Sequence, residues 1–246
     1  MFSTIPDHNP DTHSTLPTLA LLAVGFTVGL ASSFTRGLPL GTGFESVTPG
    51  STAVSGDIKT TDGIDLVFSD FQLSGGGTTS NFGTVVAHGL IPPASGFGDG
   101  KLEAQLNNIF MNFDFGADPT LVEFDYAFLG GDTNLQVNGA IDAAPGGLSQ
   151  ILGVALTPVL QTFNGTYNGI DFELTGQLTG GNNEIGRLTL GDGVAPITKL
   201  GVGGQEFGVD RIRAVPEPAG AASLSLMGFA MHKRRQNYSG PTPNVN

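Results

Sequence analysis

Residues 109–128 read IFMNFDFGADPTLVEFDYAF. Ile109, Met111, Phe113 and Phe115 alternate with Phe110, Asn112 and Asp114, and Val122, Phe124, Tyr126 and Phe128 alternate with Glu123 and Asp125. Successive side chains of a strand point to opposite faces, so this period of two predicts strands with one buried face. Gly116-Ala117-Asp118-Pro119 supplies turn residues between them, and the stretch reads as a hairpin of two long strands.

Outward from this pair the pattern recurs. It holds over residues 64–71 and 135–137, in Ile170, Phe172 and Leu174 against Asp171 and Glu173, and in Phe207 and Val209. Shorter strand candidates are residues 84–87, 102–106, 154–156, 187–190 and 197–202. Between them lie Gly75-Gly76-Gly77, Gly98-Asp99-Gly100, Gly130-Gly131-Asp132, Asn138-Gly139, Asn168-Gly169, Gly180-Gly181-Asn182 and Asp192-Gly193. Glycine and Asx-Gly pairs adopt the positive φ that tight turns need. About ten short strands with frequent turns predict an all-β fold, an antiparallel β-sandwich. Helix is scarce: residues 147–152 invite one turn, which Pro158 would stop.

Composition narrows the function. The chain of 246 residues has 22 acidic and 10 basic side chains, a net charge of -12, 38 glycines, no cysteine and no tryptophan. Nucleic-acid binding needs clustered cations to displace counterions, so that class is excluded. Without cysteine there is no thiol catalysis, disulfide or cysteine-ligated metal. A body of about 180 residues can bury a core without such staples.

Both ends are apolar. Residues 16–31, LPTLALLAVGFTVGLA, carry no charge and are short for a hydrocarbon core of roughly 30 Å, which fits the hydrophobic part of a signal peptide. Ala31 and Ser33 are small residues at the positions a signal peptidase reads, placing cleavage after Ser33, although residues 1–15 hold no Lys or Arg. At the other end Pro216-Glu217-Pro218 precedes the apolar residues 219–231, and Lys233-Arg234-Arg235 follow. The prolines keep that approach extended, and three cations stop transfer on the cytoplasmic side.

This order of Pro-Glu-Pro, apolar run and basic cluster resembles the PEP-CTERM sorting signal of Gram-negative bacteria. The resemblance implies recognition by exosortase, transient anchoring in the inner membrane, and export through the Sec machinery. Its apolar run is short and diluted by glycine and serine, and residues 236–246 continue past the basic cluster. Phe44-Glu45, Gly56-Asp57, Asn107-Asn108-Ile109, residues 134–139 and Gly203-Gly204-Gln205-Glu206 also resemble the jelly-roll-like ectodomains common in PEP-CTERM proteins. The expected organisation is a signal segment over residues 1–33, a β-sandwich ectodomain over 34–214, a sorting and anchor segment over 215–235 and a disordered tail over 236–246. A signal helix and a short C-terminal hydrophobic helix would flank the sandwich.

Within the body, catalytic chemistry is thin. His88 is the sole histidine between the two end segments, and there is no nucleophile elbow, phosphate loop or zinc motif. Glu123 with Asp125, and Asp171 with Glu173, lie two residues apart on one strand face, which a glycosidase could use but any solvated sheet face also shows. Glu206 and Asp210 beside Arg211 and Arg213 are expected to form exposed ion pairs. Asp99, Asp132, Asn134 and Asp192 sit in glycine-rich loops whose hard oxygens suit Ca²⁺, and solvated turns are the plainer reading. Sugar platforms are scarce, with Tyr126 and Tyr167 the only tyrosines in the body. Asn164-Gly165-Thr166 is formally a glycosylation sequon. The expectation is a non-enzymatic protein of the cell surface or extracellular matrix with no cofactor, associated with exopolysaccharide and biofilm. A calcium-dependent carbohydrate-binding module is the alternative, and a secreted glycosidase the third reading.

Overall fold

The structure, a computed structural model, describes residues 40–87 and 89–216. The expected signal segment with Ala31 and Ser33, the two flanking helices, His88, Glu217, Pro218, Lys233, Arg234, Arg235 and the tail all lie outside the described residues. The strands are β1 (Leu40–Thr42), β2 (Thr52–Ala53), β3 (Ile58–Thr61), β4 (Ile64–Gln72), β5 (Thr78–Thr79), β6 (Phe82–Ala87) and β7 (Leu102–Asn107). They continue with β8 (Ile109–Asp114), β9 (Pro119–Val137), β10 (Asp142–Pro145), β11 (Gln161–Tyr167), β12 (Ile170–Gly180), β13 (Asn183–Leu190) and β14 (Leu200–Pro216). One short helix, α1 (Leu148–Ile151), falls where the sequence invites it. Every strand pairing is antiparallel, so the all-β expectation holds.

Two long strands organise the rest. β9 and β14 pair from Val137 with Leu200 to Pro119 with Pro216. Each has different outer partners along its length. The early part of β9 pairs with β13, and the facing part of β14 with β7, giving the run β11-β12-β13-β9-β14-β7-β6-β2. The late part of β9 pairs with β10, and the facing part of β14 with β8, which continues to β4. The switch occurs at Gly130-Gly131, both at positive φ, opposite a register shift between Gly204 and Phe207. β7 and β8 switch partners at the same corner, through Asn108 at φ 49°. Gln205 pins the corner: its Oε1 accepts from Asp132 N at 2.9 Å and its Nε2 donates to Asn108 Oδ1 at 3.1 Å. A Cβ on Gly131 would fall 2.0 Å from Gln205 Oε1, so that approach requires glycine.

The two arms of this sheet line one apolar core. Phe113 of β8 and Phe124 of β9 have ring centroids 6.3 Å apart, and Tyr126 stacks on Phe207 at 5.8 Å. The expected hairpin of residues 109–128 therefore does not form. β8 pairs with β4 and β14, and it meets β9 through its rings rather than its backbone. Alternation identifies the inward residues of both strands correctly but carries no information about the neighbouring strand. Gly130-Gly131-Asp132, read as a turn, is a bend within β9, so residues 135–137 belong to that strand; residues 197–202 and Phe207 likewise merge largely into β14. Residues 154–156 form no strand.

The Asx-Gly turns fare better. Asn168-Gly169 joins β11 to β12 with φ of 51° and 79°, closing the pair Tyr167–Ile170 as a two-residue hairpin. Gly180 and Asn183 close the β12–β13 hairpin around Gly181-Asn182, where Gly181 is at φ 58° and the register shifts between Leu178 and Gly180.

Candidate functional site

β13, β9, β14 and β7 lie side by side, and their outward residues form a row of charges: Arg187, Asp125, Asp210 and Glu103. Alternation alone would place this row in water. Instead Asp125 is 0% exposed, and Asp210 and Glu103 are each 3% exposed. The cover is the segment 89–101, whose Ile91 and Phe97 pack on the outward Ala127 and Ile185 as a second small apolar cluster.

The carboxylates hold this cover by its backbone. Glu103 accepts from the amides of Leu90 and, at 2.9 Å, Ile91. Asp125 Oδ2 accepts from Gly98 N at 2.7 Å, and Asp210 Oδ2 accepts from Asp99 N at 2.8 Å. A loop buried on a sheet needs partners for its amides, and a carboxyl oxygen can accept in either charge state. Arg187 Nε donates to Asp125 Oδ1 at 2.7 Å, and Arg211 Nε lies 2.7 Å from Asp125 Oδ2 as a charge contact. Arg211 reaches that position from a bulge in β14 at φ 49°, where Asp210 Oδ1 also accepts its amide.

Burial raises the pKa of Asp125, because desolvation outweighs the opposing effects of Arg187, the Gly98 amide and the more distant charge of Arg213. Asp210 is pushed up to about 7, first by desolvation and then by the charges of Asp99, Asp125 and Glu103. The expected exposed ion pairs at this end of β14 are thus corrected. Asp210 is buried under the loop, while Arg211 turns to Asp125 and Arg213 lies 3.8 Å from Glu123.

Beside the row opens a recess of about 570 Å³ lined by Glu45, Asp62, Asp99, Arg211 and Arg213 over Gly41 and Gly43. Lys101 Nζ bridges Glu45 at 3.1 Å and Asp99 at 3.9 Å. Asp99 is raised by burial and by Glu45, and Glu45 is lowered, chiefly by its hydrogen bond to Asp99. A second recess of about 490 Å³ lies between the end of β8 and the start of β14, with Asn112, Asp114, Asp118, Gln136 and Lys199 in its wall. The first lining is polar and mixed in charge, suited to a hydroxyl-rich or ionic ligand, while the second sets Phe113, Phe115, Ile197 and Leu200 beside its polar groups.

A further buried acid serves the helix. Glu184 is 4% exposed on the inner face and accepts from Ser149 Oγ, from Ser149 N at 3.2 Å and from Tyr126 Oη at 3.4 Å. It satisfies the first turn of α1, whose entry residue Gly147 has no side chain to do so. Burial, then Glu184, holds the Tyr126 hydroxyl well above its usual range.

The loop residues considered for Ca²⁺ are spread over separate segments. Asp132 Oδ2 accepts from Ser74 N at 2.8 Å, and Asn134 exchanges two 2.8 Å hydrogen bonds with the Gln72 backbone. Asp192 caps the amides of Val194 and Ala195, which lowers its pKa. Asp99 Oδ1 accepts from Lys101 N at 2.8 Å. Among the described residues no group of three or more His, Asp or Glu side chains is placed to hold a metal ion. Of the acid pairs, Glu123 and Asp125 are drawn to Arg187 at 3.6 and 2.7 Å, while Asp171 and Glu173 are exposed on β12, where Asp171 accepts from Thr166.

Sequence reasoning missed the row itself. A signal was present: Ala127 and Ile185 are apolar residues at outward positions next to Asp125 and Arg187, which a solvated face does not need. Pro216, the first residue of the Pro-Glu-Pro sequence, is the last residue of β14. Among the described residues no helix is long and apolar enough to cross a membrane. Comparison with family models, curated proteins and solved structures finds no match to the chain.

Proposed function

We propose that the chain is an exported, non-enzymatic protein of the cell surface or extracellular matrix of a Gram-negative bacterium. A jelly-roll-like β-sandwich body would be carried out through the Sec machinery and sorted by exosortase. The sandwich is supported by three strand paths that turn at one corner and by rings from both arms that meet in one core. The observation that carries the functional reading is the use of the buried acids. Asp125, Asp210, Glu103 and Glu184 are occupied by backbone amides, arginines and a helix start, so these buried acids hold the fold. The Pro-Glu-Pro sequence proposed as the sorting motif begins at Pro216, the last residue of the longest ladder. Exopolysaccharide is the proposed surrounding material, and the recesses are its proposed points of contact. The calcium-dependent module is weaker, since Asp132 and Asn134 of β9 are engaged with residues 72–74 while Asp99 and Asp192 hold amides of their own separate loops.

The test is fractionation of source cells with both mature termini read by mass spectrometry. Termini near Phe34 and Pro216 in an envelope or extracellular fraction are expected. An intact Met1 and Asn246 in the cytosol would overturn the proposal.

A further inference from the structure

β11 is an outermost strand: among the described residues its only backbone partner is β12. Its other side presents unpaired N–H and C=O groups, the feature by which sheets join other chains. Other outer strands are short or charged. β2 and β5 have two residues each, β10 ends at Pro145, and β3 carries Lys59. β11 has seven residues, and residues 157–167, TPVLQTFNGTY, hold no charged side chain in a chain of net charge -12. Just before it, Val159 and Leu160 are 70% and 54% exposed.

We propose that this edge pairs with the same edge of a second copy, antiparallel about a twofold axis through Asn164. The two-residue turn makes Tyr167 and Ile170 a hydrogen-bonded pair, so residues 161, 163 and 165 bond to β12 while Thr162, Asn164 and Thr166 direct their backbone groups outward. A twofold at Asn164 sets Asn164 against the partner's Asn164 and Thr162 against the partner's Thr166, all hydrogen-bonded positions. On the inner face it sets the half-buried Phe163 against the partner's Gly165, large against small, twice over. A second copy is the occupant this register fits, because the strand is complementary to itself. Charge makes the same choice: two acidic molecules repel across most of their surfaces and can approach along this neutral strip. The acids near this strand are held by it or lie one strand inward: Asp142 accepts from Tyr167 Oη, and Asp171 and Glu173 are on β12.

Sedimentation of the full chain from about 1 to about 100 µM tests this in the micromolar range of many reversible dimers. A doubling of mass is expected for the unmodified protein. Asn164→Pro, which removes the outward amide at the axis and leaves the bonds to β12 in place, should remain monomeric, and Ile58→Lys on the β3 edge should dimerise normally. A monomer at every concentration, or a dimer that survives Asn164→Pro, would overturn the proposal. Amide exchange of the unmodified protein guards against a misfolded variant: Thr162, Asn164 and Thr166 should gain protection with concentration. Exchange there that is independent of concentration would also overturn it.

Discussion

Where the segment 89–101 covers them, β13, β9, β14 and β7 are dry on both faces, and they are kept dry by different physics. On the inner face Phe124, Tyr126, Phe128, Phe207 and Val209 remove water by apolar area. On the outer face a loop removes it, and three carboxylates satisfy the amides that the loop buries. The first arrangement tolerates changes of shape better than changes of polarity. The second depends on each partner being present and in the right charge state, since an unmet buried amide or charge costs more than its bond contributes. Buried acids with shifted pKa values are common marks of catalytic sites. Here they mark a covered surface.

The strongest way to break the comparison is to remove one partner from each face. Asp125→Ala leaves Arg187 and the Gly98 amide without their acceptor and Arg211 without its facing charge, and should cost about 3–5 kcal/mol in denaturant unfolding. Phe124→Ala should cost a similar amount, about 3–5 kcal/mol, through the cavity it opens. The two should differ in kind. Asp125→Ala should also expose the loop to protease, whereas Phe124→Ala should leave the loop closed.

A change of pH separates the faces more finely. Asp210 has a folded pKa of about 7 against an ordinary 3.8, so the folded state binds its proton more tightly than the unfolded state. Its contribution to stability is therefore present at low pH and is lost as pH rises from about 4 to about 7. Asp125 and Glu184, also raised, act in the same direction. The melting temperature should fall by a few degrees across that window. Asp210→Asn keeps an acceptor for the Asp99 amide, removes the charge facing Asp99, Asp125 and Glu103, and should flatten the fall. A profile unchanged by Asp210→Asn would assign the pH dependence to other groups. The smallest effect belongs to the solvated acids: Glu173→Gln should alter stability by no more than about 0.5 kcal/mol.

The legible parts of the fold were those set by local chemistry. Asn168-Gly169 specified its hairpin because both residues accept positive φ, and the alternation around Phe124 specified which side faces the core. Strand partners were not legible, because β8 and β9 carry the same period whether they pair or pack ring to ring. Gly130-Gly131 was ambiguous for a related reason. Two glycines permit a turn and a bend equally, and only Gln205, distant in sequence, decides between them. The acid row was hidden by its alternation with apolar residues, which has the same form on an open surface. What distinguishes it is the loop that folds back from residues 89–101, together with Ala127 and Ile185 on the side expected to be wet.

The most direct measurement is amide hydrogen exchange, resolved by residue, on Leu90, Ile91, Gly98 and Asp99. If the carboxylates are committed to holding the loop, these four amides exchange nearly as slowly as those of β9 at about pH 5, and they lose protection above about pH 7 as Asp210 ionises. Exchange at the rate of an open loop at every pH would contradict that account and return Glu103, Asp125 and Asp210 to the list of groups free for chemistry.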